Sequence, residues 1–451
     1  MSATHRTKPV VLTIAGSDCA GMAGVQMDIR TLAAMGVHGA AAITANTAQN
    51  NREVLAIQPV DSAVLAEQLR AVESLPIAAI KVGLIPGGAQ LATIRAFVEN
   101  SSVPLVYDPV LAGSCGDALT ESDLTVALKS KLLPLCTLLT PNRQEAEKLS
   151  GLTIGNSDDV EIAARALLAT GVKAVLLKGG HGKGPLSQDF FCSEEQTFWL
   201  TSPRLTTDHS RGTGCALSSA IAAALALGYA LADAVVIGKM DINQGLRQGY
   251  GIADDGGPVA ISHFPNQQYD LPLLTRSANI DPEARAFPPC ANTPLGLYPI
   301  VDRAAWLARL LPTGITTVQL RVKDLEGDAL KREVSMAVET ARHYNCRLFI
   351  NDHWQLAVEL GAYGVHLGQE DLDDADIEAI HRAGLRLGIS SHCHYEVARA
   401  HSFNPSYIAC GPIYHTTTKD MPWTPQGPTG LSYWQNMLDY PLVAIGGINQ
   451  E

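Results

Sequence analysis

Two groups of residues have types and spacings suited to phosphate chemistry. The first is Arg211-Gly212-Thr213-Gly214-Cys215-Ala216, which opens a strongly helical Ala/Leu segment. The first N–H groups of such a helix point outward, forming an anion hole suited to a phosphoryl group in transfer. Cys215 falls in the first turn, where the helix dipole favours thiolate over thiol and provides a base for an acceptor hydroxyl. The competing reading is a small apolar residue packed beneath a glycine turn. The second group begins with Gln319, Arg321 and Lys323, which alternate along a strand and so share one face. Two cations and an amide at a barrel mouth suit a diphosphate. Asn351 and Asp352 end the next strand, and Gln369 and Asp371 follow the one after it. Two carboxylates at adjacent strand ends suit Mg²⁺, which takes one or two carboxylates together with substrate phosphate and water. Ser390 ends the fifth strand, Thr416, Thr418 and Lys419 follow the sixth, and Gly446-Gly447 follow the seventh, where barrels commonly bind phosphate.

Positioning these residues requires parallel sheets. Short Val/Ile/Leu-rich runs alternate with helix-length segments along almost the whole chain, which gives an α/β class. The first part predicts a doubly wound sheet with strands near 10–17, 39–45, 78–85, 103–109, 135–140 and 174–179. The second predicts barrel strands at 295–301, 316–322, 346–351, 364–367, 386–390, 407–413 and 441–446, with no eighth before Glu451. An incomplete (β/α) barrel is expected, with weak activity from these residues because an unclosed barrel leaves unpaired edges. Periodicity stops between the two parts, where Pro272, Pro282, Pro288 and Pro289 fall. The expected division is a domain over 8–268, a linker over 269–292 and the barrel over 293–451.

Composition narrows the function class. The 451 residues are enough for two or three domains. Thirty-three Lys+Arg against 45 Asp+Glu leave a net charge of −12, the wrong sign for coating nucleic acid or an acidic membrane. Nine scattered cysteines with no Cys-x-x-Cys pair fit a reducing cytoplasm. No signal-peptide run is present, and the Ala-rich stretch 216–227 is too short to span a bilayer. The expected partners are small molecules, with self-association through the first domain left open. His392-Cys393-His394 invites a metal reading, but no third ligand is evident.

Further polar clusters sit at predicted strand ends: Gly16-Ser17-Asp18, Gln49-Asn50, Asp108-Pro109-Val110, Thr140-Pro141-Asn142 with Glu145, and Lys178-Gly179-Gly180-His181. Each alone reads as a turn or helix cap. In order, from about Val10 to Phe264, they resemble the hydroxymethylpyrimidine and phosphomethylpyrimidine kinases of the ribokinase-like superfamily. That resemblance implies Cys215 as base, Gly212 and Gly214 as anion hole, and Gln49 and Asp18 toward the pyrimidine. It further implies Asn142 and Glu145 toward the Mg²⁺-phosphate region, Lys178 near the nucleotide phosphates, and ATP as co-substrate. Arg211 stands where His is usual, Ala216 where Thr or Ser is usual, and Met22 interrupts a Gly-Gly pair. Residues 295–451 resemble thiamine phosphate synthase. This implies that Gln319, Arg321, Lys323, Asn351, Ser390 and Lys419 hold a pyrimidine diphosphate, with Asp352 and Asp371 on Mg²⁺ and Thr416, Thr418 and Gly447 on a thiazole phosphate. The alternative is a pyridoxal-type kinase fused to a thiazole tautomerase-like or non-catalytic barrel.

Overall fold

The computed structural model describes residues 7–111, 119, 124–180, 182, 184–252, 256–280, 285–290, 294–416 and 424–448. Contacts divide the chain into two units, Met1–Pro265 with Tyr269–Ile280, and Asn266–Gln268 with Asp281–Glu451.

The first unit is built on a ten-stranded sheet. Its strands are β1 (Val10–Asp18), β2 (His38–Gln49), β3 (Val54–Pro59), β4 (Ile77–Val82), β5 (Leu105–Tyr107), β6 (Leu138–Leu139), β7 (Ala174–Leu177), β8 (Leu186–Ser193), β9 (Thr197–Pro203) and β10 (Leu273–Thr275), in the order β10-β9-β8-β7-β6-β5-β4-β1-β2-β3. The central strands β2, β1, β4, β5, β6 and β7 run parallel. Covered on both faces, they need side chains such as Leu12, Ile14, Ile80, Val82, Leu139 and Val175, all essentially buried. The sequence pattern misses the antiparallel additions: β3 on one edge, and β8, β9 and β10 on the other. β10 lies inside the stretch read as a linker, so residues 269–280 complete the first unit's sheet. The remainder, 285–290, packs with the second unit, where Phe287 N–H donates to the Asn404 carbonyl and the Ser406 hydroxyl to the Pro288 carbonyl.

The second unit holds seven parallel strands in sequential order: β11 (Ile300–Val301), β12 (Thr317–Leu320), β13 (Arg347–Asn351), β14 (Gly364–Leu367), β15 (Arg386–Ser391), β16 (Tyr407–Cys410) and β17 (Leu442–Ala444). This is an incomplete TIM-barrel sheet among the described residues. Its interior packs Phe349 and Tyr407 against Tyr298 and Leu295. β12 stops at Leu320, so Arg321 and Lys323 sit in the loop beyond it and not on one strand face with Gln319. Only the Arg321 N–H extends the ladder, donating to the Val301 carbonyl.

Candidate active sites

In the first unit, the C-terminal ends of the parallel strands open into a cleft of about 780 Å³. That is the size of a small-molecule site. The helix Thr213–Ala226 enters it from Gly212, whose φ of 79° lies in the left-handed region. A Cβ there would overlap the Met22 carbonyl oxygen, so Gly212 and Met22 fix each other. Ala216 to Ala224 are buried all round the helix, and the alanines and serines among them let it lie deep against β4 and the helix Gly24–Ala34. Its first turn therefore opens onto the cleft, with Gly214 and Cys215 on the lining.

The chemistry of Cys215 differs from the sequence reading. The helix dipole acts on it, but removal from water dominates, and the thiol is pushed up to about 11. Lys81 nearby works against that rise, while Asp28 and Asp108 add to it. Resting Cys215 is a thiol, not a thiolate. Lys81 itself is fully buried, with its ammonium 2.9 and 2.8 Å from the two oxygens of Asp28. The same carboxylate accepts hydrogen bonds from the Thr13 hydroxyl at 2.6 Å and the Ser219 hydroxyl at 2.9 Å. The sequence reading missed this pair. The available signal was Lys81 in an otherwise apolar strand, since a buried lysine needs a carboxylate.

Asp108, at the end of β5, accepts from Lys178 at 2.7 Å and from the Thr140 hydroxyl at 3.2 Å. A Cβ on Gly214 would lie 3.4 Å from both Asp108 Oδ2 and Lys178 Nζ. The helix N-terminus thus faces a cation and a carboxylate at close range. Asn142 and Glu145 line the same cleft but also cap the helix Arg143–Ser150. Asn142 Oδ1 accepts from the Glu145 N–H at 2.9 Å, and Glu145 Oε2 accepts from the Asn142 N–H at 2.6 Å. Burial, aided by Asp108 and opposed by Lys178, raises the Glu145 carboxyl to about 7.

Gln49, at the end of β2, lines the cleft. Asp18 is not among the residues that line the cleft. Its carboxylate is buried and accepts three main-chain N–H groups, from Ala20 at 2.9 Å, Met22 at 2.9 Å and Ala23 at 2.8 Å. It shapes the loop after β1, where the sequence reading had placed it toward the pyrimidine.

In the second unit, Asp352 follows β13 with a φ of 61°, a strained conformation for a non-glycine residue and one that clusters at functional sites. It ion-pairs with Lys323. Asp371 accepts from the Gly368 N–H at 2.8 Å, and its carboxyl is raised first by burial and further by Asp352 beside it. Two hard oxygen donors that disfavour each other's charge are a fitting donor set for Mg²⁺. Asn351 is buried at the end of β13. The Ser390 hydroxyl lies 2.8 Å from His366 Nε2, and His366 Nδ1 lies 2.7 Å from the Tyr407 hydroxyl. Burial drives His366 down to about 4, so it is a neutral bridge. His366 was passed over, although a histidine within the apolar strand Gly364–Leu367 marks an inward polar position. Gln319 is buried and hydrogen-bonds toward Tyr298 and Tyr407, inside the barrel rather than at its mouth.

Gly447, with a φ of 66°, packs under the carbonyls of Tyr414 and His415, beside Thr416. Thr418 and Lys419 lie outside the described residues. His392 and His394 turn to different partners, the first to Glu396 at 2.6 Å and the second to the Tyr433 hydroxyl at 3.0 Å. Among the described residues no group of three or more His, Cys, Asp or Glu converges as a metal site. No described helix is long and apolar enough to cross a membrane.

Comparison with known proteins gives one family for each unit. Residues 18–260 fit the profile of the family described as phosphomethylpyrimidine kinase, and residues 297–451 that of thiamine monophosphate synthase. Over 158 residues the chain is 59% identical to the thiamine-phosphate synthase of Photorhabdus laumondii, covering 35% of this chain and 73% of that protein. The pyridoxal kinase from Staphylococcus aureus in complex with ADP superposes with a TM-score of 0.55 at 28% identity, covering 60% of this chain and 98% of that one. The phosphomethylpyrimidine kinase of Clostridium difficile 630 is 35% identical, with a TM-score of 0.47, covering 52% of this chain and 98% of that one.

Proposed function

The chain belongs to the phosphomethylpyrimidine kinase family through its first unit and to the thiamine-phosphate synthase family through its second, and from that premise we propose how the two sites work. It is a bifunctional transferase of thiamine biosynthesis. The first unit phosphorylates 4-amino-5-hydroxymethyl-2-methylpyrimidine and its monophosphate to the diphosphate. The second joins that diphosphate to thiazole phosphate.

In the first cleft, ATP is the phosphoryl donor, a reading supported by the ADP-bound neighbour. The N–H groups of Gly212, Gly214 and Cys215 take the phosphoryl group in transfer, and Lys178 balances its charge. The Gln49 carboxamide pairs a donor and an acceptor with the aminopyrimidine edge. Cys215 is the group placed to take the proton of an alcohol acceptor. Asn142 and Glu145 would face Mg²⁺, which when bound would offset phosphate charge. The observation that carries this reading is the approach of Gly214 to both Asp108 and Lys178. ATP consumption with the hydroxymethylpyrimidine, its monophosphate and pyridoxal as rival acceptors tests it. Preference for the aminopyrimidines is expected, and preference for pyridoxal would refute the acceptor assignment.

In the second site, Arg321, Lys323, Asn351, Ser390 and Lys419 hold the diphosphate, Asp352 and Asp371 would hold Mg²⁺, and Thr416, Thr418 and Gly447 meet the thiazole phosphate. Mg²⁺ there would stabilise the leaving diphosphate. The carbon–oxygen bond breaks with its electron pair on the leaving group, and the thiazole nitrogen supplies the pair that forms the new bond. No protein nucleophile is required. The cytoplasm, with ATP at hand and thiols reduced, is the compartment this chemistry fits.

A further inference from the structure

Most cations lining the first cleft are already paired or hydrogen-bonded among the described residues. Lys81 is paired with Asp28, Lys178 with Asp108, and Lys239 with Asp189. Arg204 spends its guanidinium on the main-chain carbonyls of Gly179, Gly180, Gly184 and Leu186. Lys148 is exposed, on the helix capped by Asn142. Arg211 differs from all of these. Among the described residues no carboxylate pairs with it. Its Nη2 reaches only the Asn50 carbonyl, at 3.3 Å, and its Nε is shut off from solvent without a partner.

The backbone of Arg211 is held firmly. Its N–H donates to the Gly257 carbonyl at 3.1 Å, and its carbonyl accepts from the Val259 N–H at 3.1 Å. The residue directly precedes the Gly212 turn and lines the cleft together with Gln49. A half-buried guanidinium whose Nε is closed off from solvent and unpartnered, in a largely committed polar site, calls for an anion, and its fork geometry suits phosphate.

We propose that Arg211 binds the phosphate of an already phosphorylated acceptor and so equips this cleft for the second phosphoryl transfer. The assignment rests on the kinase reading above. In that transfer the bond between the γ-phosphorus and the β,γ-bridging oxygen breaks, and its electron pair leaves on ADP. The new bond forms to an acceptor phosphate oxygen that brings a lone pair and no proton. No base is needed, but two phosphate groups must be held together against their repulsion, and a second cation offsets that charge.

Steady-state kinetics on the full chain decide the matter, with ATP and Mg²⁺ and with the pyrimidine alcohol and its monophosphate as separate acceptors. Arg211→Met should lower kcat/KM on the monophosphate on the order of 10- to 100-fold, the loss typical of charge-assisted hydrogen bonds, and should lower it far less on the alcohol. Arg211→Lys, the smaller change and the safer one for folding, should move the ratio the same way by a smaller factor. Equal losses on both acceptors, or no loss on either, would overturn the assignment. A rise in the KM for ATP with both acceptors would also overturn it, placing Arg211 on the nucleotide. Wild-type protein that phosphorylates neither acceptor would bring down the kinase reading itself, and this assignment with it.

Discussion

The raised thiol of Cys215 makes the first phosphorylation depend on pH in a way that isolates its role. With its pKa near 11, the group is ionised in about one molecule in 10⁴ at pH 7, and each added pH unit multiplies that fraction about tenfold. If the thiolate takes the alcohol proton, the single-turnover rate on the hydroxymethylpyrimidine should climb about a hundredfold from pH 7 to 9. Rapid-quench measurement of labelled phosphoryl transfer from saturating ATP reads that rate directly. Cys215→Ala should remove the slope and, at pH 9, lower the rate on the order of 10²- to 10⁴-fold, the range of general-base catalysis. The range stops at 9 for a reason of stability. A thiol raised in the folded state ionises first in the unfolded chain, so the fold loses stability as pH climbs from 9 toward 11. A flat wild-type profile, or the same slope in wild type and Cys215→Ala, would refute the argument and reduce Cys215 to packing.

Three further outcomes follow from the geometry. Lys81→Met strands the Asp28 carboxylate in a fully buried site and should destabilise the first unit by about 3–5 kcal/mol. Urea unfolding of the full chain should show this, with much of the loss recovered by adding Asp28→Asn; a single-variant loss no larger than that of a surface change would contradict it. Gln49→Leu should weaken the aminopyrimidine by about 1–3 kcal/mol while sparing ATP, because one edge loses its paired donor and acceptor; equal weakening in calorimetric titrations would count against the placement. Asp352→Asn should lower Mg²⁺-dependent diphosphate affinity on the order of 10- to 100-fold, the loss that even outer-shell metal partners cost; unchanged titration curves would remove Asp352 from the metal site.

The glycine turn and helix that present Gly212, Gly214 and Cys215 were legible because that chemistry is local: a turn only glycine can make, followed by a continuous helical run. What Cys215 does with its proton was not, because the desolvation that outweighs the dipole comes from elements far away in sequence. The Asp28–Lys81 pair shows the same limit, with partners 53 residues apart. Asp18 illustrates a different one. A carboxylate at a strand end can serve a ligand or its own loop, and only the positions of the Ala20, Met22 and Ala23 N–H groups decide between them. Arg321 and Lys323 were placed on a strand face by extending a period-two pattern beyond Leu320, where pairing stops. β3 and β10 escaped notice because short strands beside prolines and polar residues look like loops, and β10 joins its sheet from across a stretch that composition marks as a linker. The strand-end Asp352 and Asp371 were read correctly as neighbours because the order of parallel strands fixes which ends adjoin.

The most direct test of the central claim follows the pyrimidine through the first unit. Purified chain is given the hydroxymethylpyrimidine, ATP and Mg²⁺, and the reaction is sampled over time by mass spectrometry. The monophosphate should appear first and the diphosphate second, one ATP consumed per step, with the first step slowed in Cys215→Ala. ATP hydrolysis without a phosphorylated pyrimidine, or accumulation of the monophosphate with no diphosphate, would contradict the account.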